Sequence, residues 1–236
     1  MNADNHQKEL IQRYQSLIER IRKAEQDYDR PSGSVSLVAV SKTYPAADIR
    51  KIAEQGQTAF GENYLQDALP KIAQLKELNL QWHFIGHIQS NKCRDVTTHF
   101  DWVHSVDRFK IARRLSDHRS SGQPMLNLFL QVNLHNEESK SGVSPEQTAD
   151  TAQQISALPN VRLRGLMAIP EPSDDFASQC NVFAELRKLQ EKLVDEGLQL
   201  DCLSMGMTND LEAAVAQGAT HVRIGTAIFG PRQKHP

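Results

Sequence analysis

A lysine, Lys42, closes a short apolar run from Val35 to Val40 and is followed by Thr43, Tyr44 and Pro45. The run has the composition of a buried strand, and the proline ends it. An ammonium at the inner end of such a strand is costly unless it is paired or gives up its proton. Desolvation lowers a lysine pKa and makes the amine a nucleophile suited to forming a Schiff base with an aldehyde. The ordinary alternative is a side chain that runs along its own stem to the surface.

Two later stretches carry complementary chemistry. Ser204-Met205-Gly206-Met207-Thr208-Asn209-Asp210 leads into a helical pattern, and Arg223-Ile224-Gly225-Thr226 opens a second, shorter one. Hydroxyls and backbone N–H groups at such turns can converge on an anion. Turn formation and helix capping alone would also explain these residue types. Met205 and Met207 can line a cleft for a ring or fill the core. A nucleophilic lysine with an anion cradle suits a phosphorylated aldehyde, of which pyridoxal phosphate is the common biological case.

The elements that must position these residues follow a repeating pattern. Helical periodicity covers 5–28, with Leu10, Ile11, Tyr14, Leu17, Ile18 and Ile21 on one face. Strand-like runs then occupy 36–41, 58–61, 81–86, 102–105, 126–133, 162–167, 201–204 and 221–224. Helical stretches lie between them at 46–55, 64–75, 91–99, 108–118, 145–158, 174–196 and 209–216. In 64–75 the expected inner face is Leu65, Leu69, Ile72 and Leu75. In 174–196 it is Phe176, Cys180, Phe183, Leu186, Leu189 and Leu193. Eight strands alternating with helices predict an α/β fold, a single closed (β/α)8 barrel of TIM type with an extra N-terminal helix. Residues 1–30 would be that helix, packed on a barrel formed by 31–236. An open doubly wound sheet is the alternative, but its GxGxxG or GxxxxGK[ST] signatures are absent. In a barrel, the chemistry gathers at the C-terminal strand ends, where Lys42, Asn63, Met167, Ser204 and Gly225 all fall.

The remaining features narrow the function classes. A formal charge of -2 gives no basic field for nucleic acid. No apolar run approaches the about 20 residues needed to cross a bilayer, and Met1 to Glu9 lacks the apolar core of a secretory signal, so a cytoplasmic protein is expected. Cys93, Cys180 and Cys202 are widely spaced and read as reduced thiols. His83 and His87 flank a strand end without a third ligand at zinc spacing. His104, His118, His135, His221 and His235 are expected to be solvated or locally hydrogen-bonded.

Val38-Ala39-Val40-Ser41-Lys42, Phe60-Gly61-Glu62-Asn63-Tyr64, Trp82-His83-Phe84-Ile85-Gly86, Gln89-Ser90-Asn91-Lys92, Lys140-Ser141-Gly142, Arg164-Gly165-Leu166-Met167, Ser204-Met205-Gly206-Met207 and Val222-Arg223-Ile224-Gly225 resemble the pyridoxal phosphate homeostasis protein family. That family in turn is similar to the barrel domain of the fold-type III alanine racemases. The resemblance implies pyridoxal 5'-phosphate held covalently as an aldimine to Lys42, with Asn63 near the ring. It implies that Ser204, Gly225 and Thr226 contact the phosphate and that Arg223 faces the pyridine nitrogen. Met167 and Met207 complete the expected cofactor-binding set. Thr208 stands where the family more often has serine, which keeps a hydroxyl. Ala219 stands where Ser or Thr is frequent, which should affect packing only.

An arginine beside the pyridine nitrogen disfavours a proton there and weakens the ring as an electron sink. The racemases also draw a second base from a C-terminal β domain, and this sequence ends at Pro236, shortly after the last strand run. The resemblance therefore implies a carrier and buffer of the cofactor that influences amino and keto acid balance. A racemase or related fold-type III enzyme is the alternative. Pyridoxal-phosphate-dependent apoenzymes are the implied partners, and a monomer is expected. Lys140 and Lys234 are exposed candidates for adventitious imines.

Overall fold

The protein is described by a computed structural model covering residues 3–231 apart from 136, 138 and 139. Eight strands form a closed barrel in sequence order: β1 (Ser36–Val40), β2 (Ala59–Glu62), β3 (Gln81–Phe84), β4 (Trp102–Val106), β5 (Leu126–Gln131), β6 (Val161–Met167), β7 (Cys202–Ser204) and β8 (His221–Ile224). Every neighbouring pair is parallel, including the closing pair, in which Val38 lies opposite Arg223 and Ala39 opposite Ile224. The helices are α1 (Ala3–Asp27), α2 (Ala46–Ala53), α3 (Leu65–Gln74), α4 (Cys93–His99), α5 (Phe109–His118), α6 (Pro145–Ser156), α7 (Phe176–Asp195), α8 (Leu211–Ala216) and α9 (Thr226–Phe229). The (β/α)8 architecture read from the periodicity is the one observed. Among the described residues no helix is long and apolar enough to cross a membrane.

Strands covered on both faces read as near-continuous apolar runs, and β1 and β5 largely do so here, whereas β4 is buried throughout but carries His104 and Ser105. Outside the barrel the core joins Val103, Val106, Leu128 and Leu130 to helix residues such as Ile111, Leu115 and Ile155. Inside it lies a smaller cluster of Trp102, Phe129, Met167 and Cys202. Packed against that cluster are three imidazoles, of which His83 is stacked and the other two are tilted. His83 lies 5.5 Å from the Trp102 ring at 3° between planes, His104 lies 4.5 Å from Phe129, and His221 lies 5.0 Å from Trp102. His83, near the end of β3, His104 and His221 are thus buried in the barrel interior and not solvated, and His221 keeps a local hydrogen bond, its Nδ1 2.9 Å from Thr220 Oγ1. The alternation of side chains along a strand turns them inward.

α1 buries Leu10, Tyr14, Leu17, Ile21 and Ala24 and lies against α2, α8 and α9. Because α9 is only one turn long, α1 covers the outside of the β8–β1 closure where a full-length eighth helix would otherwise lie. Two inward faces differ from expectation. On α3 the buried residues are Ala68 and Lys71, while Leu65, Leu69 and Ile72 are half-buried, because Lys71 turns in toward a carboxylate on β2. On α7, Phe176 is 47% exposed and stacks on Tyr28 at 6.4 Å, so the helix packs through Phe183, Leu186 and Leu193.

Gly165 shows how tightly β6 and β7 approach. A Cβ at this position would stand 1.7 Å from the Cys202 carbonyl oxygen. Gly165→Ala should therefore destabilise the barrel by about 3 kcal/mol, the upper range for forced overpacking. A drop in the urea midpoint at unchanged slope checks it.

Candidate functional site

A cleft of about 450 Å³ opens at the rim where the C-terminal ends of the strands meet. Six of the eight residues expected from the sequence line it: Lys42, Asn63, Met207, Arg223, Gly225 and Thr226. Thr208 joins them. Ser204 and Met167, which sit opposite each other in the β6–β7 register, lie one layer below the cleft and are fully buried. Met167 packs with Trp102, Phe129 and Cys202. The Ser204 hydroxyl is taken up by Arg223 and His104, so it supports the wall of the cleft and does not face it.

Lys42 follows β1 in a tight turn in which the Tyr44 N–H donates to the Ser41 carbonyl at 3.1 Å. Thr43, at φ 69°, occupies the left-handed region that a β-branched residue seldom adopts. The turn is held from several sides. The Ser41 hydroxyl donates to Glu62 Oε1 at 2.6 Å, and Lys71 Nζ donates to the same oxygen at 2.8 Å and to the Ser41 carbonyl at 2.9 Å. Tyr44 donates its hydroxyl proton to the Gly230 carbonyl at 2.6 Å and stacks on Phe229 at 4.8 Å. Burial pushes the Glu62 carboxyl up, and the Lys71 ammonium with the Ser41 hydroxyl draws it back down. This Glu62–Lys71–Ser41 network escaped the sequence reading. Its one sequence signal is a lysine three residues after Ala68 on the buried side of α3.

Arg223 rises from β8 into the floor of the cleft. Its guanidinium donates to the Ser204 hydroxyl at 2.6 Å and to the Ala168 carbonyl at 3.0 Å. Burial pushes its pKa down to about 10, which leaves it charged at neutral pH. Below it runs a buried chain: Ser204 Oγ lies 2.7 Å from His104 Nδ1, and His104 Nε2 lies 2.9 Å from His83 Nδ1. A guanidinium can only donate, so the arrangement that uses the serine proton turns it toward His104 Nδ1. His104 then carries its proton on Nε2 and donates to His83. His83 in turn carries its proton on Nε2, a buried atom without a partner among the described residues. Burial drives His83 and His104 well below the ordinary imidazole range and His221 down to about 4, so all three are neutral.

Asn63 stands between the cleft and an adjoining space of about 260 Å³ that is also lined by Gln131, Lys140 and Ser141. Its Oδ1 is buried without a partner among the described residues. Gly86 permits this placement, since a Cβ there would lie 2.0 Å from the Asn63 carbonyl oxygen. Lys140 is half-buried and paired with Glu137 at 2.7 Å, not exposed as expected, and Lys234 lies outside the described residues. Cys93, Cys180 and Cys202 are free thiols. Among the described residues no cluster of side chains could hold a metal ion.

In the unfolded chain the three buried imidazoles would take up protons below about pH 6.5. In the barrel they stay neutral to far lower pH, about 4 for His221. Their contribution is therefore fully present above pH 6.5 and is lost as the pH falls toward 4. The slope approaches about 4 kcal/mol per pH unit for three groups. The raised Glu62 carboxyl acts in the opposite sense closer to its ordinary range. Urea unfolding at pH 7.5, 6.5 and 5.5 should show a steep loss across the last interval, and a flat profile would contradict neutral burial.

Residues 13–233 match the family described as alanine racemase, N-terminal domain. The chain is 58% identical over 213 residues to a pyridoxal phosphate homeostasis protein of Pseudomonas aeruginosa, covering 90% of this chain and 91% of that one. Among solved structures it is similar to PipY of Synechococcus elongatus with PLP bound. That match has a TM-score of 0.79 and 41% identity, covering 89% of this chain and 98% of PipY. Alanine racemase from Corynebacterium glutamicum shares the fold at 15% identity, with a TM-score of 0.68 over 93% of this chain and 62% of the racemase.

Proposed function

This chain belongs to the pyridoxal phosphate homeostasis protein family, and on that premise we propose that it binds pyridoxal 5'-phosphate in the rim cleft and carries it on Lys42. The observation that supports this most is the convergence of Lys42, Asn63, Arg223 and two hydroxyl-bearing loops, at Thr208 and Thr226, on one cleft of about 450 Å³. The residues fit the group. Among the described residues a buried carbonyl oxygen on Asn63 lacks a partner, and a buried guanidinium bonded to no carboxylate faces the same space. Gly225 admits close approach at the seam, since a Cβ there would lie 2.9 Å from the Val40 carbonyl oxygen.

When bound, the cofactor supplies an aldehyde that condenses with an amine and a ring that withdraws electrons. Lys42, at the rim of the cleft, would hold the aldehyde end through its side-chain amine. Thr208, Gly225 and Thr226 would hold the phosphate end. Arg223, a cation fixed by Ser204 and Ala168, would oppose a proton on the ring nitrogen and so weaken the ring as an electron sink. That supports holding and buffering the cofactor over turning over a substrate. The reading extends to apoenzymes as recipients, an influence on amino and keto acid balance, and a monomeric state.

Titrating the apoprotein with pyridoxal phosphate should produce an imine absorbance band, and Lys42→Ala should abolish it. An unchanged band in the variant rules out the lysine assignment. Lys42-dependent entry of solvent deuterium at the α-carbon of an amino acid, at an enzyme-like rate, would favour a racemase over a carrier.

A further inference from the structure

α1 lies outside the barrel, yet its arginines reach the loops that wall the cleft from behind. Arg20 donates through Nη1 to the Thr208 carbonyl at 2.9 Å. Through Nε and Nη2 it grips both carboxylate oxygens of Glu212, each at 2.6 Å. Glu212 sits in the first turn of α8, and its carboxyl is held below the usual range chiefly by the Arg20 hydrogen bonds. One guanidinium thus ties α1 to the β7–α8 loop and to the helix that the loop enters. Arg13 acts on the neighbouring element, donating from Nε to the Ile228 carbonyl in α9 at 2.9 Å.

Peptide planarity gives the Arg20 contact a consequence at the cleft. A trans peptide sets its C=O and its N–H in opposite directions, and the chain has no cis bonds among the described residues. With the Thr208 carbonyl drawn outward to α1, the Asn209 N–H of the same peptide points away from α1. Thr208 and Asn209 both line the cleft. The loop is braced to hold this setting. The Met207 N–H donates to Asp210 Oδ1 at 2.5 Å, and Gly206, at φ 95°, passes so close that a Cβ would stand 2.5 Å from Ala214 Cβ.

We infer that Arg20 is a positioning residue for the phosphate end of the cleft, turning the Thr208–Asn209 peptide so that its N–H is presented to a phosphate. The inference rests on the proposed cofactor reading. It separates phosphate recognition, which Arg20 supports through the Thr208 carbonyl, from imine formation at Lys42.

The experiment compares pyridoxal phosphate with pyridoxal, which forms the same imine but has no phosphate, on the full-length protein and on Arg20→Gln. The expected result is that the variant binds pyridoxal phosphate about tenfold more weakly, as for loss of one well-oriented charged contact, while its affinity for pyridoxal is unchanged. An equal loss for both aldehydes, or no loss for either, overturns the inference. If Arg20→Gln does not fold by circular dichroism, Glu212→Gln, which removes the anchor of the guanidinium, is read by the same ratio and the same criteria. An unmodified protein that forms an imine with neither aldehyde instead refutes the cofactor reading itself.

Discussion

The closure of the barrel between its first and last strands is the constraint on which the site depends. Lys42 and Arg223 stand near opposite ends of the sequence, and the β1–β8 register brings their strands side by side. Parallel strands all end on the same rim, so a lysine after β1, an arginine on β8 and a glycine turn after it must share one mouth. The contact is close enough that Gly225 has no room for a side chain against Val40. α1 packs over the outside of this seam and touches the helices on both sides of it.

A buried cation bonded to no carboxylate among the described residues requires another form of support. Arg223 has it in a carbonyl, a hydroxyl and a polarised line of neutral imidazoles beneath the hydroxyl. A charged histidine in that line would set two buried cations close together, and the low dielectric would make the repulsion severe. Burial that keeps the histidines neutral is therefore the condition for the arginine to stay charged. The more distant Asp210 carboxylate also favours the charged form. The same line fixes which nitrogen of each ring carries the proton, so the cation orders the tautomers of the barrel interior.

What could be read from the sequence was whatever depends on local period and on strand ends. The eight runs and their intervening helices follow from hydrophobic spacing, and Lys42 and the loops after the last two strands stand out at strand ends, while the choice of Asn63, Arg223, Gly225 and Thr226 rests on the family resemblance. The misread positions depend on geometry that the sequence does not carry. Whether a residue near a strand end faces the cleft or the layer below is set by strand tilt and stagger, which is why Ser204 and Met167 were placed one layer too high. His83, His104 and His221 are far apart along the chain and meet only because the barrel closes. The burial of Lys71 carries no local signal because its partner, Glu62, belongs to another element. Phe176 fitted the periodic pattern but lies in the first turn of α7, beyond the edge of the core, and found Tyr28 instead.

The unfavourable backbone at Thr43 shows how the two ends of the cleft are mechanically joined. A left-handed β-branched residue costs on the order of 1–2 kcal/mol and persists only where its surroundings over-determine it. Part of that restraint comes from β2 and α3, through Glu62 and Lys71 on Ser41. The rest comes from Tyr44, whose ring and hydroxyl engage Phe229 and Gly230 at the end of α9. That same short segment begins with Thr226 at the cleft wall and is gripped through Ile228 by Arg13 of α1. The turn that aims Lys42 and the turn that presents Thr226 therefore share one support. A displacement of α9 would slacken both together, so the geometry of the lysine is tied through Arg13 to α1, although none of the described residues of α1 lines the cleft.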